Sequence, residues 1–399
     1  MIKSKKVPLS EFITLQRGYD LTKKNMNGGK YPVVGSTSII GYHDSYKVKP
    51  PGVITGRSGS LGTVQFVNTK FWPHNTSLWV KDFKGNDPSF VYYSLKNLPL
   101  ADFNAGAGVP TLNRNHLDQL LVTYFPIEYQ KQVSLILKQF DYLIAKNNRR
   151  IQILEEIAQR LYEEWFIHFK FPGHEKVKMI DSELGRIPEE WGIKSVGEIT
   201  KLHIGGGWGK ENKDQSHTEK VKVIRGTDLD DASSCQLENL PKRYEKQSKL
   251  TSRKLDEFDF VIEVSGGSKD QPVGRSMLIL NEHLLNSVAP LICASFCKKL
   301  KIDKDIFHPY IFALHLNRIY ESREITKYQT QSTGISNFKW KFFLEKHLVL
   351  IPPTFIQEKF VNIMSEIFQQ KLILGKKNVM LSQMRDLLLP RLTLGEIEV

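Results

Sequence analysis

From Tyr129 to about Phe169 the chain has no Pro and no Gly, and its apolar residues recur at spacings of three and four: Val133, Ile136, Leu137, Phe140, Leu143, Ile151, Leu154, Ile157, Leu161 and Trp165. That is the seam of a long packing helix, and Phe171-Pro172-Gly173 supplies its stop. At 1.5 Å per residue, some 40 residues span roughly 60 Å. A second seam follows Pro352-Pro353 and runs through Phe360, Ile363, Ile367, Leu374, Leu381, Met384 and Leu388. Its start fits a capping box, with Thr354 as N-cap and Gln357 reaching back. Gly375 interrupts this helix, at about 1 kcal/mol relative to alanine. A helix of this length cannot bury one stripe alone. The two seams therefore predict an antiparallel pair acting as a spacer rod, or two helices that each pack on their own module.

The rest of the chain is rich in β-branched and aromatic residues broken by Gly and Pro, as in Tyr31-Pro32-Val33-Val34-Gly35, Gly52-Val53-Ile54-Thr55-Gly56 and Asp259-Phe260-Val261-Ile262. These read as short strands, with helices at Ser89–Leu98 and Pro309–Tyr320. The fold class is α+β. The organisation is a mixed module over 1–126, a helix over 127–172, a connector and second module over 173–353, and a distal helix over 354–399. Gly173 to about Glu190 reads as an exposed connector.

The pattern is written twice. Ser10-Glu11-Phe12-Ile13 and Leu15-x-x-Gly18 lie over Gly197-Glu198-Ile199-Thr200 and Leu202-x-x-Gly205. Gly108-Val109-Pro110-Thr111-Leu112 lies over Gly334-Ile335-Ser336-Asn337-Phe338, and Pro126-x-x-x-Gln130 over Pro353-x-x-x-Gln357. Sparse identities in a fixed order along the whole chain imply two similar modules.

Composition narrows the class. With 399 residues, 40% hydrophobic and 25% charged, the chain has the make-up of an ordinary soluble protein of two or three domains. No apolar run approaches a membrane span. The basic Met1–Lys6 start lacks the apolar stretch of a signal peptide. Three cysteines, Cys235, Cys293 and Cys297, suit a reducing cytoplasm and read as buried thiols, since no second Cys or His pair completes a zinc pattern. The net charge is +13, and +8 of it falls in residues 1–125, where 15 Lys and Arg face 7 Asp and Glu. A basic module implies a polyanionic partner, or a basic surface kept for solubility.

Candidate chemistry is sparse. Gly205-Gly206-Gly207-Trp208-Gly209-Lys210 resembles a phosphate loop, but Ile204 stands where the first glycine is needed and Glu211 where a Ser or Thr would hold magnesium. No amino-methylation motif, nucleotide fingerprint or nuclease spacing is evident. The best contact loop is Gly56-Arg57-Ser58-Gly59-Ser60-Leu61-Gly62. Arg57 suits a guanine edge or a phosphate there, with Ser58 and Ser60 beside it, or the loop is a tight turn with a solvated arginine. Its counterpart is Ser265-Gly266-Gly267-Ser268-Lys269, with Arg275 nearby. Lys23, Lys24, Arg114, Lys210 and Arg225 are weaker candidates. His74-Asn75-Thr76-Ser77 and Asn286-Ser287 sit at comparable places and suit base edges or turns.

With those residues in place, the chain resembles the DNA-specificity subunit of type I restriction–modification systems. The resemblance rests on Asp386-Leu387-Leu388-Leu389-Pro390-Arg391-Leu392-Thr393-Leu394-Gly395-Glu396-Ile397, on Asp181-Ser182-Glu183-Leu184-Gly185-Arg186-Ile187-Pro188-Glu189-Glu190-Trp191, on the Arg57 loop, on Gly108-Val109-Pro110-x-Leu112 and on the Pro-x-x-x-Gln helix entries. It departs at Ser336, where the first copy has Pro110, and at Gly375. The resemblance implies two target-recognition domains, each reading half of a bipartite asymmetric site in double-stranded DNA, joined by two long antiparallel helices that set the gap. It implies docking of two methyltransferase subunits that use S-adenosylmethionine on adenine N6, and of a restriction/translocase subunit using ATP and Mg2+. The chain itself would be non-catalytic, without a cofactor or metal of its own, cytoplasmic and not membrane-bound. Two other readings are a divergent methyltransferase or nuclease, which needs a motif not found here, and a scaffold whose basic surface meets acidic proteins.

Overall fold

Both long helices form. In the computed structural model, which describes residues 4–106, 108–267, 271–332 and 335–399, they run Ile127–Tyr162 and Thr354–Leu394. The chain divides into two compact units, residues 1–144 with 380–399, and residues 145–379. Within the second unit, Asn147 meets Asn378, Glu155 meets Lys371 and Trp165 meets Phe360. In the first unit, Tyr129 meets Leu392 and Asp141 meets Arg385. One number rises as the other falls, so the helices are antiparallel. In the first unit Val133 and Leu137 cluster with Leu389 and Leu392, and in the second Ala158 clusters with Met364 and Leu372, with Ile151 also buried. Leu143, Ile157, Ile363 and Met384, expected in the seams, are exposed.

The end of the first helix and the start of the second differ from expectation for local reasons. Past Tyr162 the first helix widens into a π turn over Glu163–Ile167, closed by His168 N–H on Glu163 O at 2.9 Å. Trp165 and Phe166 are consecutive and both buried. The wider turn lets both rings reach Phe360, at 5.3 and 4.7 Å. The second helix has no Thr354–Gln357 capping box. Gln357 Nε2 donates to Pro352 O (2.9 Å) and Ile306 O (3.0 Å), while its Oε1 accepts from His308 N (2.9 Å). Gln130 does the same in the first unit. Its Nε2 donates to Phe125 O (2.8 Å) and Asn86 Oδ1 (2.7 Å), and its Oε1 accepts from Asp87 N (2.9 Å). Asp87 and His308 are the N-caps of the helices Pro88–Lys96 and Pro309–Glu321. The repeated Pro-x-x-x-Gln thus ties each long helix to the cap of its module's own helix, satisfying polar groups that burial would otherwise strand.

The duplication holds in the two main sheets and the terminal pair of each unit. In the first unit, Thr14–Arg17, Ser77–Asp82, Gly52–Gly56 and Val64–Val67 form an antiparallel sheet in that spatial order. In the second, Thr200–Gly205, Cys297–Ile302, Asp259–Glu263 and Ser276–Leu278 repeat the order and senses. A smaller sheet places Tyr31–Val34 antiparallel to Ile39–His43 and parallel to Trp72–Pro73. Its counterpart places Glu219–Ile224 antiparallel to Lys242–Glu245 and parallel to Leu291–Cys293. Each module closes with a terminal pair, Lys5–Pro8 with Leu121–Tyr124, and Gly192–Ser195 with Leu348–Ile351. The pairing of Gly18 with Gly205 is one residue out. A Cβ on Gly18 would lie 2.1 Å from His74 O, and one on Gly206 2.0 Å from Ala294 O, so Gly206 is the true counterpart. A register shift between Thr200 and Leu202 hides this from the sequence.

Two more expectations change. The stretch 173–190 is no bare connector. Met179–Ser182 and Gly185–Pro188 form a hairpin, with Ile187 and Trp191 buried. Gly375 does not break its helix, because a Cβ there would fall 1.9 Å from the backbone oxygen of Ser234. The glycine admits the neighbouring turn. Among the described residues, no helix is long and apolar enough to cross a membrane.

Candidate nucleic-acid interface

In the first unit the Arg57 loop is held from two sides. Arg57 N–H and Ser58 N–H both donate to Thr76 O (2.8 and 3.0 Å), Gly59 N–H donates to Pro110 O (2.9 Å), and Leu112 N–H donates to Arg57 O (2.8 Å). Ser36 Oγ sits 2.7 Å from Ser58 O and 2.8 Å from Thr76 O. The Gly108–Leu112 element and the Asn75-Thr76 turn therefore fix this loop. The Arg57 side chain reaches Asn75 O at 3.4 Å. With Arg17, Arg114, Thr111, Asn113 and Asn115 it lines an open pocket of about 510 Å³. Arg114 leans on Leu15 O at 3.5 Å, and Arg17 pairs with the exposed Asp20 at 3.1 Å. Asp20 also accepts from the Asn75 amide. Three guanidinium groups beside side-chain amides suit a phosphate or the edge of a base.

His74 spends both ring nitrogens inside the fold. Nδ1 meets Thr76 Oγ1 at 2.9 Å, and Nε2 meets Leu21 O at 3.0 Å. It anchors the segment carrying Lys23 and Lys24, which lie exposed on a short 3-10 turn. Ser60 is exposed at the loop tip. Sequence reasoning missed Arg17 and a lysine–aromatic surface on the same unit. Lys47 lies over Trp72 (4.8 Å) and Tyr19 (5.6 Å), Lys70 over Tyr46 (4.7 Å) and Lys30 over Tyr31 (5.2 Å). Lysines interleaved with aromatics in a basic module were the available signal.

The second unit repeats the backbone of this loop and changes its chemistry. Val264 N–H and Ser265 N–H donate to Phe296 O (2.8 and 3.2 Å), and Phe338 N–H donates to Val264 O (2.9 Å). Val264 therefore stands where Arg57 stands, Ser265 for Ser58 and Phe296 for Thr76. The segment answering to His74–Ser77 is Ala294–Cys297. Asn286-Ser287 instead ends the helix Asn281–Asn286, with Asn286 Nδ2 donating to Glu282 O at 2.6 Å. Ser268 and Lys269 lie outside the described residues.

The remaining cations predicted in this unit are each neutralised by a carboxylate. Arg225 makes two bonds to Asp228 (2.8 and 2.7 Å). Lys210 sits 2.7 Å from Asp214. That lysine, with the backbone N–H groups of His217 and Ser216, holds the Asp214 carboxyl well below the usual range. Arg275 bonds Glu263 at 3.0 and 3.2 Å. Burial works against its charge, yet the bond to Glu263 leaves its pKa raised. The geometry thus gathers Arg57, Ser58, Asn75 and Arg114, and disperses Lys210, Arg225 and Arg275. Cys235, Cys293 and Cys297 are buried free thiols, pushed up by burial to about 11 and about 12 for the first two.

Residues 1–156 match the family model of the type I restriction modification DNA specificity domain. The chain is similar to the type I restriction enzyme MjaIX specificity subunit of Methanocaldococcus jannaschii, 26% identical over 316 residues, which are 78% of this chain and 69% of that one. It is also similar to the MjaVIII specificity subunit of the same organism, 30% identical over 121 residues, or 30% of this chain and 28% of that one. Among solved structures, the S subunit of a type I restriction-modification system from M. genitalium shares the fold. The TM-score is 0.58 at 16% identity, covering 98% of this chain and 96% of that one.

Proposed function

We propose, from the premise that this chain belongs to the type I restriction-modification DNA specificity family, that it reads a bipartite, asymmetric site in double-stranded DNA, one half with each module. The observation that carries this reading is a duplicated backbone whose matching hydrogen bonds hold different side chains at the same loop: Arg57 lines an open pocket in the first copy, whereas in the second Val264 packs on the core and Phe296 is the exposed side chain. A shared scaffold with divergent contact residues is what two unlike half-sites require. The exposed lysines of the first module would supply the phosphate contacts, which position the protein and make affinity fall with salt.

In this reading the paired long helices set the gap between the half-sites and help seat two methyltransferase subunits. Those subunits would bind S-adenosylmethionine and methylate adenine N6, and a restriction/translocase subunit would bring ATP and Mg2+. This chain contributes recognition and leaves base flipping and methyl transfer to its partners. The test is duplex binding by the complex with its methyltransferase subunits, across salt and with each base pair varied. The reading expects two short sensitive blocks and a tolerant gap. Uniform tolerance along the duplex would overturn it.

A further inference from the structure

The two contact loops can be compared residue by residue, because the same backbone bonds recur in both. Arg57, Asn75, Thr76 and Thr111 in the first module correspond to Val264, Ser295, Phe296 and Asn337 in the second. The first three pairs follow from the N–H donations to Thr76 O and Phe296 O. The fourth follows from the strand contacts Ser58 to Thr111 and Ser265 to Asn337. The exchange replaces a guanidinium by an apolar side chain and a threonine by an amide.

Phe296 is 67% exposed, although its own backbone oxygen is bonded twice and Cys297 N–H closes its turn on Ala294 O at 2.8 Å. A rigid loop that points a phenylalanine into solvent holds it ready for an apolar contact. Asn337 is exposed beside it. Its Oδ1 accepts from Ser265 Oγ at 2.8 Å, which holds the amide by its oxygen and leaves the amide nitrogen as its donor. The exposed Lys339 and Lys341 flank this surface, and Lys298 lies 5.5 Å from the Trp340 ring. They provide positive charge at the edge of the patch.

Base edges in the major groove discriminate between these chemistries. A guanidinium matches guanine O6 and N7, an asparagine amide matches adenine N6 and N7, and an apolar side chain matches the thymine methyl. We propose that the second module reads an A·T pair, with Asn337 on the adenine and Phe296 on a thymine methyl, while the first module reads a guanine with Arg57. This assignment rests on the reading of the chain as a DNA-recognition subunit.

The experiment uses the complex with its methyltransferase subunits and duplexes in which each base pair is varied singly, and each thymine is replaced in turn by deoxyuridine. Asn337→Ala is expected to lose about 5- to 150-fold discrimination at one A·T pair of the second half-site, with the first half-site unchanged as the internal check of folding. Deoxyuridine at one thymine there is expected to weaken the wild-type complex and to have no further effect on Phe296→Ser. Arg57→Ala should lose discrimination only at a G·C pair of the first half-site. Full discrimination in the second half-site by both Asn337→Ala and Phe296→Ser would overturn the assignment while leaving DNA recognition standing. A wild-type complex with no sequence preference would overturn the functional reading and the assignment together.

Discussion

Replacing Gly375 by alanine sets two effects of opposite sign against each other. Helix propensity favours alanine by about 1 kcal/mol in a helix interior. Against that, the added Cβ would stand 1.9 Å from the oxygen and 2.8 Å from the carbonyl carbon of Ser234. Reaching ordinary contact requires a movement of about 1.5 Å, and overpacking of this kind costs about 1–3 kcal/mol or more. The Ser234 turn has little room to yield. Cys235 N–H is bonded to Ala232 O at 2.8 Å, and Cys235 and Leu237 are buried behind it. The clash therefore outweighs propensity, and Gly375→Ala should destabilise the second unit by about 1–2 kcal/mol. For a unit of this size that lowers Tm by roughly 2–8 °C. Hydrogen exchange should quicken in the Leu229–Leu237 segment and in the Thr354–Val379 part of the helix, with the first unit unaffected. Lys377→Ala, an exposed position two residues on, serves as the control and should be neutral. A Gly375→Ala variant as stable as the parent, or more so, would refute the close-approach argument.

Gln357→Ala should strand His308 N–H and the carbonyls of Pro352 and Ile306, costing about 1–3 kcal/mol, and Gln130→Ala should do the same in the first unit; hydrogen exchange of each variant should localise the loss to its own unit. Acidification should destabilise the second unit: burial lowers His283, His308 and His347 to about 4 and His315 well below its ordinary 6.5. The unfolded chain takes up these protons first, so stability is full above pH 6.5 and falls as pH drops toward 4, by about 3 kcal/mol for His283 alone. Denaturant titrations that show no loss between pH 7 and pH 4.5 would contradict this. Deleting Ile144–Asn147 alone should destabilise the helix pair, because it removes Asn147, which donates to Asn378 Oδ1 at 2.9 Å, and shortens one helix only. Deleting Met380–Gln383 as well should restore the melting temperature, since Asn148–Asn378 and Asp141–Arg385 both survive, and should shorten the gap in the recognised site.

The elements legible in the sequence were those whose signal is local and periodic. The three-and-four spacing marked both long helices, and the order of Pro-x-x-x-Gln and Gly-Val-Pro-x-Leu marked the duplication. Signals that depend on distant backbone were not legible. Gly375 reads as a helix defect until Ser234 is seen beside it, and the register shift after Thr200 displaced the Gly18 alignment by one residue. Of the candidate site, the Arg57 loop was legible as a candidate contact, because glycine and serine around an arginine are a local pattern, while the neighbouring Arg17 in the same pocket was not. In the second copy the counterpart loop at Ser265 was legible, but Val264 and Phe296 at its contact positions were not, because they resemble core residues, and Asn286-Ser287 was set opposite His74–Ser77 in place of Ala294–Cys297. Arg225–Asp228 and Lys210–Asp214 are close enough in sequence for their pairing to be anticipated. Arg275–Glu263 spans two strands and was not.

The central claim is that each module reads one half of a bipartite DNA site. It is tested most directly by mapping N6-methyladenine in host DNA with this chain present, deleted, or carrying Arg57→Ala, its partner subunits present throughout. The account predicts a two-part motif that vanishes on deletion and whose first half alone relaxes in the Arg57 variant. An unchanged map on deletion of a chain whose complex is otherwise active, or equal relaxation of both halves by Arg57→Ala, would contradict it.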